Sequence, residues 1–159
     1  MPKVNHLYTG AAGQAAAMSE FLVRGYNVAV PEVDRGDDLF VVKDADGDFN
    51  RIQVKTATAR PLKKFGYIAT FSISITQMSE PLTPELFYVL VVRNGTVWSD
   101  YVVISQGDLL SEHIRYEVGT RSGENLILRL SFRPDSVRCG ERNFQSYRGN
   151  FSHWPTLLH

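Results

Sequence analysis

The sequence predicts a mixed α/β domain in which helices flank a central mixed β-sheet. Three observations predict it: a small, alanine-rich helical segment comes first, several strand-like segments follow, and a second helical segment comes after most of those strands. A chain of 159 residues is long enough to bury a core of its own. We therefore expect a single domain over residues 1–159, with strands and a C-terminal segment added over 66–159.

The first helix is predicted over residues 10–24, which begin with a small, alanine-rich run. Its apolar stripe, spaced as on one face of a helix, consists of Ala17, Phe21 and Leu22, with Met18 beside it. Gly25 is the predicted end of this helix, because glycine readily adopts the left-handed conformation that closes one.

Strands follow from period-two alternation or from short apolar runs between turn residues. Residues 38–43 are mostly apolar, as expected for a strand with both faces covered. Asn94-Gly95 predicts a hairpin turn, and Ser105 is the expected N-cap of a short helix over 105–113. The predicted strands cover residues 26–30, 38–43, 51–58, 66–76, 86–92, 96–104 and 125–132.

Charge is balanced overall but unevenly distributed. The formal net charge is zero, yet residues 1–50 hold eight acidic side chains against four basic ones. Residues 51–64 carry five basic side chains and no acidic one, and residues 121–148 carry six arginines against three acids. A surface that faces a polyanion and a mixed solvated surface both fit this distribution.

Several classes of site are excluded by composition or by motif. The single cysteine rules out an internal disulfide and a multi-cysteine zinc site. Gly10-Ala-Ala-Gly13 lacks the Lys-Ser/Thr of a phosphate-binding loop, and the acidic turn at 44–50 fails the EF-hand pattern. No signal-peptide pattern and no apolar run of membrane-spanning length occur, so we expect a cytoplasmic protein that does not bind membranes.

One acidic residue and one polar pair carry the functional prediction. Asp38 begins an apolar strand, and Gln53 and Lys55 share a face of the next strand. Adjacent strands can bring an anionic oxygen, a neutral oxygen and an ammonium to one point, as metal-dependent phosphodiester cleavage requires. Two other interpretations stay open: Asp38 as a turn residue, and Gln53 with Lys55 as the wet face of an edge strand.

The order of these motifs resembles that of the PD-(D/E)XK nuclease superfamily, including its Holliday-junction resolvase and homing endonuclease branches. The similarity runs from Gly10 to Thr58, about a third of the chain, and its motifs are short. In the family, a helix with Gly-Glu precedes Gly-Tyr-x-Val, an Asp that heads a strand, and Glu/Gln-x-Lys on the next strand. The corresponding segments here are Gly13-Gln14, Gly25-Tyr26-Asn27-Val28, Asp38-Leu39-Phe40-Val41 and Gln53-Val54-Lys55-Thr56.

The resemblance implies a restriction endonuclease-like core at 10–58 and a role for each matched residue. Asp38 and Gln53 would bind Mg²⁺, with Mn²⁺ as an alternative, and the carbonyl of Val54 would be a further ligand. Lys55 would assist hydrolysis. Gln14 stands where the family often has a catalytic glutamate. Glu20 is six residues further on, about 600° of helical rotation, and so lies on another face.

The implied function is a metal-dependent endonuclease, a hydrolase that cuts phosphodiester bonds in DNA, and cutting both strands implies a homodimer or a higher homo-oligomer. The face of residues 86–104 is one candidate interface. The alternative is a catalytically weak or inactive nuclease-fold module that binds nucleic acid or a protein, which the neutral glutamines favour. Side chains expected to contact DNA are Arg35, Arg51, Arg60, Lys63 and Lys64.

Two groups of residues allow more than one interpretation. Asp34 and Asp37 are close enough in sequence to supply the negative charge that the two glutamines lack. In the C-terminal tail, aromatic side chains with Arg142 and Arg148 either stack on bases or pack the segment onto the core. The aromatic residues in question are Tyr147, Phe151 and Trp154.

Overall fold

Two β-sheets pack face to face in this protein, and the longest helix covers the outer side of one of them. The computed structural model describes residues 2–157, with side chains from residue 5 onward. The elements in chain order are α1 (Pro2–Val23), β1 (Asn27–Ala29), β2 (Leu39–Lys43), β3 (Asp48–Thr58), β4 (Arg60–Pro61), β5 (Tyr67–Ser74), α2 (Ile75–Ser79), β6 (Leu86–Asn94), β7 (Val97–Ser105), α3 (Gln106–Tyr116), β8 (Thr120–Ser122), β9 (Asn125–Arg133), β10 (Ser136–Cys139), β11 (Arg142–Asn143) and a 3₁₀ turn (Gln145–Tyr147).

The first sheet, which we call sheet A, is the mixed central sheet that the sequence predicts. Its strand order is β1-β2-β3-β6-β7, with β3 and β6 parallel and the other neighbours antiparallel. β6 is buried on both faces from Tyr88 to Val92, and the C-terminal half of β7 is largely buried as well. The exposed face predicted over residues 86–104 as a candidate interface is therefore limited to the N-terminal half of β7, where Val97 and Ser99 are exposed.

The second sheet, sheet B, is antiparallel and was not separated from the first by sequence patterns. Its strand order is β11-β10-β9-β5-β4, and β8 also pairs with β9. The alternation predicted for residues 66–76 is confirmed as far as Ile73, with Ala69, Phe71 and Ile73 buried on one face. After Ser74 the chain turns into α2 instead of continuing as a strand.

Sheet A separates two apolar cores. One core fills the space between the sheets, where Phe71 and Phe132 of sheet B meet Tyr88 and Leu90 of sheet A. The other lies between the opposite face of sheet A and α1. This three-layer arrangement explains why β6 is apolar throughout, since it contributes side chains to both cores.

α1 is longer than predicted, because it begins at Pro2 instead of residue 10. Ala17 and Phe21 are fully buried, as expected for the apolar stripe, but Leu22 is 52% exposed and does not belong to it. Gly25 has a φ of +93° and follows the helix as predicted. The second predicted helix is also confirmed: the hydroxyl of Ser105 accepts a hydrogen bond from the backbone N–H of Asp108 at 3.1 Å.

The C-terminal tail is part of the core, so the packing interpretation of its aromatic residues is correct. Phe151 and Trp154 are 6% and 1% exposed, and both rings meet Phe21 of α1 edge to face. Arg148 binds the carboxylate of Asp100 at 2.7 Å. The buried aromatic rings are unavailable for stacking on nucleic-acid bases.

A buried carboxylate holds the beginning of this tail. Glu112 of α3, 5% exposed, accepts hydrogen bonds from the Arg142 guanidinium at 2.6 and 3.2 Å and from the Tyr147 hydroxyl at 2.9 Å. Arg142 and Tyr147 are thus occupied within the fold. Over the described residues, no helix is both long and apolar enough to span a membrane.

We expect Trp154→Ala to lower the free energy of unfolding by about 3–5 kcal/mol, because the ring is fully buried among aromatic neighbours. Urea unfolding followed by far-UV circular dichroism measures the loss. The matched control is Phe65→Ala, which removes a ring that is 73% exposed and is expected to change stability by less than about 0.5 kcal/mol. Equal losses in the two variants would show that the tail does not stabilise the core.

Candidate functional site

Asp38 is fixed where β2 begins beside the middle of β3. Its backbone N–H donates to the carbonyl of Ile52 at 2.8 Å, which extends the β2–β3 ladder by one bond. Its side chain then turns along β3, and Oδ2 accepts hydrogen bonds from the backbone N–H of Val54 and from Nε2 of Gln53, both at 2.7 Å. The predicted meeting of Asp38 and Gln53 is therefore present, and the interpretation of Gln53 as part of a wet strand face is wrong.

Gln53 is buried, at 8% exposure, and its amide is held on both sides. While Nε2 donates to Asp38, Oε1 accepts from Nε2 of Gln77 at 3.1 Å. Gln77 Nε2 also donates to the carbonyl of Gly36 at 2.8 Å, and its Oε1 accepts from the Tyr88 hydroxyl at 3.2 Å. Asp38 is thus the acceptor at the end of a chain of buried hydrogen bonds, which fixes the orientation of the Gln53 amide.

Gln77 is the member of this hydrogen-bond network that the sequence interpretation missed. It lies on α2, a five-residue helix whose N-cap is Ser74, and its backbone N–H donates to the Ser74 hydroxyl at 3.2 Å. The signal was present, because Ser74 followed three residues later by Gln has the spacing of a capping box. The strand alternation that continues into Ile75 obscured this signal.

Gly36 is required by this network. Its φ is +95°, and a Cβ at this position would lie 2.3 Å from Nε2 of Gln77. A side chain here would therefore displace the Gln77 amide from Gln53. The same loop carries Asp34, whose carboxylate accepts from the backbone N–H of Gly36 at 2.9 Å.

A second glycine brings α1 to the site. Gly13 packs against β3 so closely that a Cβ would lie 1.9 Å from Oγ1 of Thr56. This approach places the next residue, Gln14, over the start of β2, with its Nε2 3.5 Å from the carbonyl oxygen of Asp38. Gln14 therefore reaches the site through the backbone of Asp38. Glu20 forms an ion pair with Arg24 at 2.8 Å and does not line the cleft, in agreement with the helical-rotation argument.

A cleft of about 780 Å³ runs beside the C-terminal half of β3, where β2 no longer covers the strand edge. Among the described residues, Asp38 is the only carboxylate that lines it; the other polar lining groups are amides, hydroxyls, an imidazole, Lys55 and Arg60. A neighbouring hollow of about 510 Å³ is lined by Asp34 and Arg35 and shares three residues with the cleft. These shared residues are Asp38, Gln53 and Lys55, which places them where the two spaces meet.

Burial raises the pKa of the Asp38 carboxyl above its ordinary value of 3.8. The Val54 N–H and the positive charge of Lys55 act in the opposite direction, while the carboxylates of Asp34 and Asp37 add to the rise. The ionised form of Asp38 thus costs folding free energy, as is common where a charge is kept for a function other than stability.

The other predicted residues divide into two groups. Arg35 and Arg60 line the two spaces beside Asp38, and Lys63 and Lys64 are exposed in the turn between β4 and β5. Arg51, in contrast, binds the carboxylate of Asp37 at 2.8 Å and lines neither space. Asp37 is 6% exposed, so this pair is largely internal and Asp37 is turned away from Asp38 toward Arg51.

The donor set suits a hard divalent cation that is held weakly. Among the described residues, no three His, Cys, Asp or Glu side chains form a metal-binding group. Oxygen donors are nevertheless available from the Asp38 carboxylate, the Gln53 amide and the Val54 carbonyl. The N–H and C=O of one strand residue point to the same side, so the Val54 carbonyl shares the strand edge from which its N–H reaches Asp38. To offer oxygen there, the Gln53 amide would have to turn over.

Comparison with known proteins identifies a solved structure with a similar fold. No family model matches the chain, and no curated protein is similar to it in sequence. A solved structure of a bacterial homing endonuclease, I-Ssp6803I, is similar over 91% of this chain and 87% of its own, with a TM-score of 0.51 and 21% sequence identity. The fold is shared with an endonuclease. At this identity the similarity establishes the fold alone, and the site must be judged from its own geometry.

We expect Asp38→Asn to be more stable than the wild type at neutral pH, because the amide oxygen can still accept both hydrogen bonds and the partly desolvated charge is gone. The folded-state pKa of Asp38 is raised, so the cost of its ionisation is absent below about 3.8 and complete above the raised value. The gain from the substitution should therefore shrink as the pH falls. Urea unfolding at a series of pH values measures it.

Asp46→Asn is the control with the opposite sign. Asp46 pairs with Lys43 at 2.9 Å, and this partner lowers the pKa of Asp46. The stabilisation that this ion pair gives the folded state is present above the pKa of Asp46 in the unfolded chain and is lost as the pH falls. The variant should therefore be slightly less stable than the wild type at neutral pH. A loss of stability in Asp38→Asn that does not depend on pH would contradict the assignment of a buried charge to Asp38.

Proposed function

We propose that this protein is a metal-dependent endonuclease that hydrolyses phosphodiester bonds in DNA and belongs to the PD-(D/E)XK superfamily. The observation that carries the proposal is the position of Asp38, Gln53 and Lys55. All three residues line both the cleft and the neighbouring hollow, and they lie where these two spaces meet. The fold shared with a homing endonuclease supports it, since the motifs occur in the same chain order that the superfamily uses.

Each residue has a distinct role in the proposed reaction. Asp38, the amide oxygen of Gln53 and the carbonyl of Val54 would hold Mg²⁺ or Mn²⁺. When bound, such an ion supplies positive charge that stabilises the oxygens of the reacting phosphate. Asp38 is already positioned for this by the Val54 N–H, so ordering its carboxylate costs little when the ion binds.

Lys55 is the proposed catalytic cation. It follows Gln53 by two residues on β3, lines both spaces beside Asp38, and its positive charge acts on the Asp38 carboxyl. None of the ion pairs within 4.0 Å in the described chain involves it. Its ammonium is thus available to orient the attacking water and to stabilise negative charge on the scissile phosphate.

Cleavage of both strands of a duplex needs two such sites. The described chain provides a single Asp38–Gln53–Lys55 group, so the proposal includes a homodimer or a higher homo-oligomer. On residues 86–104, the surface that remains for a contact between copies is the exposed N-terminal half of the edge strand β7.

The second candidate is a nuclease-fold module that binds nucleic acid or a protein without cutting. It is favoured by a specific feature of the site, because Asp38 is the only lining carboxylate of the cleft and Gln53 turns its NH₂ toward it. This arrangement keeps the Asp38 oxygen satisfied in the absence of a cation. The two candidates differ in whether Asp38 binds Mg²⁺.

We expect the purified protein to nick plasmid or branched DNA in Mg²⁺ or Mn²⁺, and Lys55→Ala to reduce the rate by at least about 10²-fold. The loss follows from removal of the ammonium beside the reacting phosphate. Conversion of supercoiled to open-circular DNA measures it. Lys43→Ala is the matched control, because Lys43 pairs with Asp46 and does not line the cleft. Equal nicking by both variants would refute the proposed role of Lys55, and nicking that persists in EDTA would refute the proposed dependence on a metal ion.

We expect Gln53→Glu to strengthen cation binding at the cost of stability without the cation. The substitution places a second carboxylate where Gln53 now donates to Asp38 at 2.7 Å, so two like charges repel. The melting temperature should fall in EDTA and rise more with Mg²⁺ than that of the wild type. In the double variant Asp38→Asn/Gln53→Glu, both effects should diminish. A Mg²⁺-induced shift no larger than that of the wild type would place the cation elsewhere.

A further inference from the structure

The outer face of sheet B has a composition unlike the rest of the surface. Its six strands contain no Asp and no Glu, and they contain six arginines. Only Arg142 among them forms an ion pair in the described part of the chain. The arginines are Arg60, Arg121, Arg129, Arg133, Arg138 and Arg142. Because the strands of sheet A contain both signs of charge, this bias belongs to one layer of the fold.

The alternation of the strands directs most of these arginines outward. Along β9 the leucines point into the core between the sheets, and Arg129 lies on the opposite face and is exposed. Arg138 of β10 is exposed in the same way between buried Val137 and Cys139. On β5, Thr70 and Ser72 are the exposed residues. The described helices contribute to the cores on the other side of the sheet. Beside Arg129 the sheet borders a hollow that Glu117 and Glu141 also line.

The strand registers arrange these residues in rows across the sheet. In one row Arg138 pairs with Ser131, Ser131 with Ile68, and Ile68 with Arg60. Three strand spacings separate the two arginines, about 14 Å between their backbones. The next row along the sheet pairs Arg129 directly with Thr70 on the two central strands. The face thus has cations at its two margins and an arginine with a hydroxyl at its centre.

The distance between the two outer arginines is close to the width of the major groove of B-form DNA, about 12 Å, and the groove admits a two-stranded β-ribbon such as the central pair β5 and β9. We propose that the outer face of sheet B binds duplex DNA in the major groove, with Arg60 and Arg138 on flanking phosphates and with Arg129 and Thr70 on base edges. An exposed guanidinium can donate to the paired acceptors of guanine. A threonine can bond a base edge through its hydroxyl and contact the thymine methyl through its own methyl group. This inference rests on the proposed function and names its binding surface.

The position of the catalytic cleft supports this surface. Arg60, Thr70 and Ser72 belong to the face and also line the cleft that contains Asp38 and Lys55. DNA seated on the face would therefore have a backbone strand entering the cleft. The sequence alone predicts a DNA contact only for Arg60 of this face, because charge counts along the chain do not show which arginines share a surface.

The first test is equilibrium binding in EDTA, where cleavage is absent, by fluorescence anisotropy of a labelled DNA duplex of mixed sequence. The double variant Arg60→Ala/Arg138→Ala should bind at least about tenfold more weakly, and its salt dependence should fall by about 0.9 per arginine. Arg115→Ala, which removes an exposed arginine of α3, is the matched control and should bind as the wild type does. Unchanged thermal melting verifies that each variant is folded.

The second test separates base contacts from phosphate contacts. Selection from a randomised duplex pool in EDTA should enrich particular sequences with the wild type, and Thr70→Ala/Arg129→Ala should lose that enrichment at the contacted positions. The double variant at Arg60 and Arg138 should bind weakly but keep the same preference. Duplex RNA should compete poorly, because its major groove is too narrow for a sheet.

The outcomes distinguish this inference from the proposed function. If both double variants bind duplex DNA as tightly as the wild type does, the inference is overturned. Nicking of plasmid in Mg²⁺ would then still support the proposed nuclease function. Loss of binding in the variants without any nicking by the wild type supports the face as a DNA-binding surface and favours the non-cutting module. No binding of duplex DNA by the wild-type protein overturns the inference, as does equal or stronger binding of duplex RNA.

Discussion

The site depends on the difference in length between two neighbouring strands. β2 has five residues and β3 has eleven, so β2 pairs with β3 only as far as Ile52. Beyond that point, β3 presents an edge with free backbone groups, and such an edge must be satisfied in another way. The Asp38 carboxylate accepts the N–H of Val54 and thereby takes the place of the missing ladder bond. A strand end, a half-buried carboxylate and an open cleft are thus consequences of one mismatch.

The remaining layers are arranged around this edge. Gly13 allows α1 to approach β3 from one side, and β5 of sheet B approaches from the other. The parallel pairing of β3 with β6 requires a crossover, and the chain uses this crossover to build β4, β5 and α2. The same connection therefore supplies a wall of the cleft and the Gln77 amide that holds Gln53.

The sequence was sufficient to predict the parts of the site that are local. Asp38, Gln53 and Lys55 lie on two strands joined by a short turn, so alternation and register alone bring the first two together. Gln77 was missed because its contact with Gln53 depends on the crossover, and Arg129 was missed because its face depends on a second sheet. Phe151 and Trp154 were left between two interpretations, since only tertiary packing decides whether an aromatic residue near a chain end is buried.

Glutamine at position 53 fits the constraints of this network better than glutamate does. The side chain must accept from Gln77 on one side and donate to Asp38 on the other, and an amide has both functions. A carboxylate would satisfy Gln77 but would oppose Asp38 at hydrogen-bond distance. The amide thus keeps Asp38 positioned in the absence of a cation, and the site forgoes the second negative charge that would bind one tightly. Lys55 gains importance from this exchange, because a site that holds a cation weakly relies more on the Lys55 ammonium to stabilise negative charge on a phosphate.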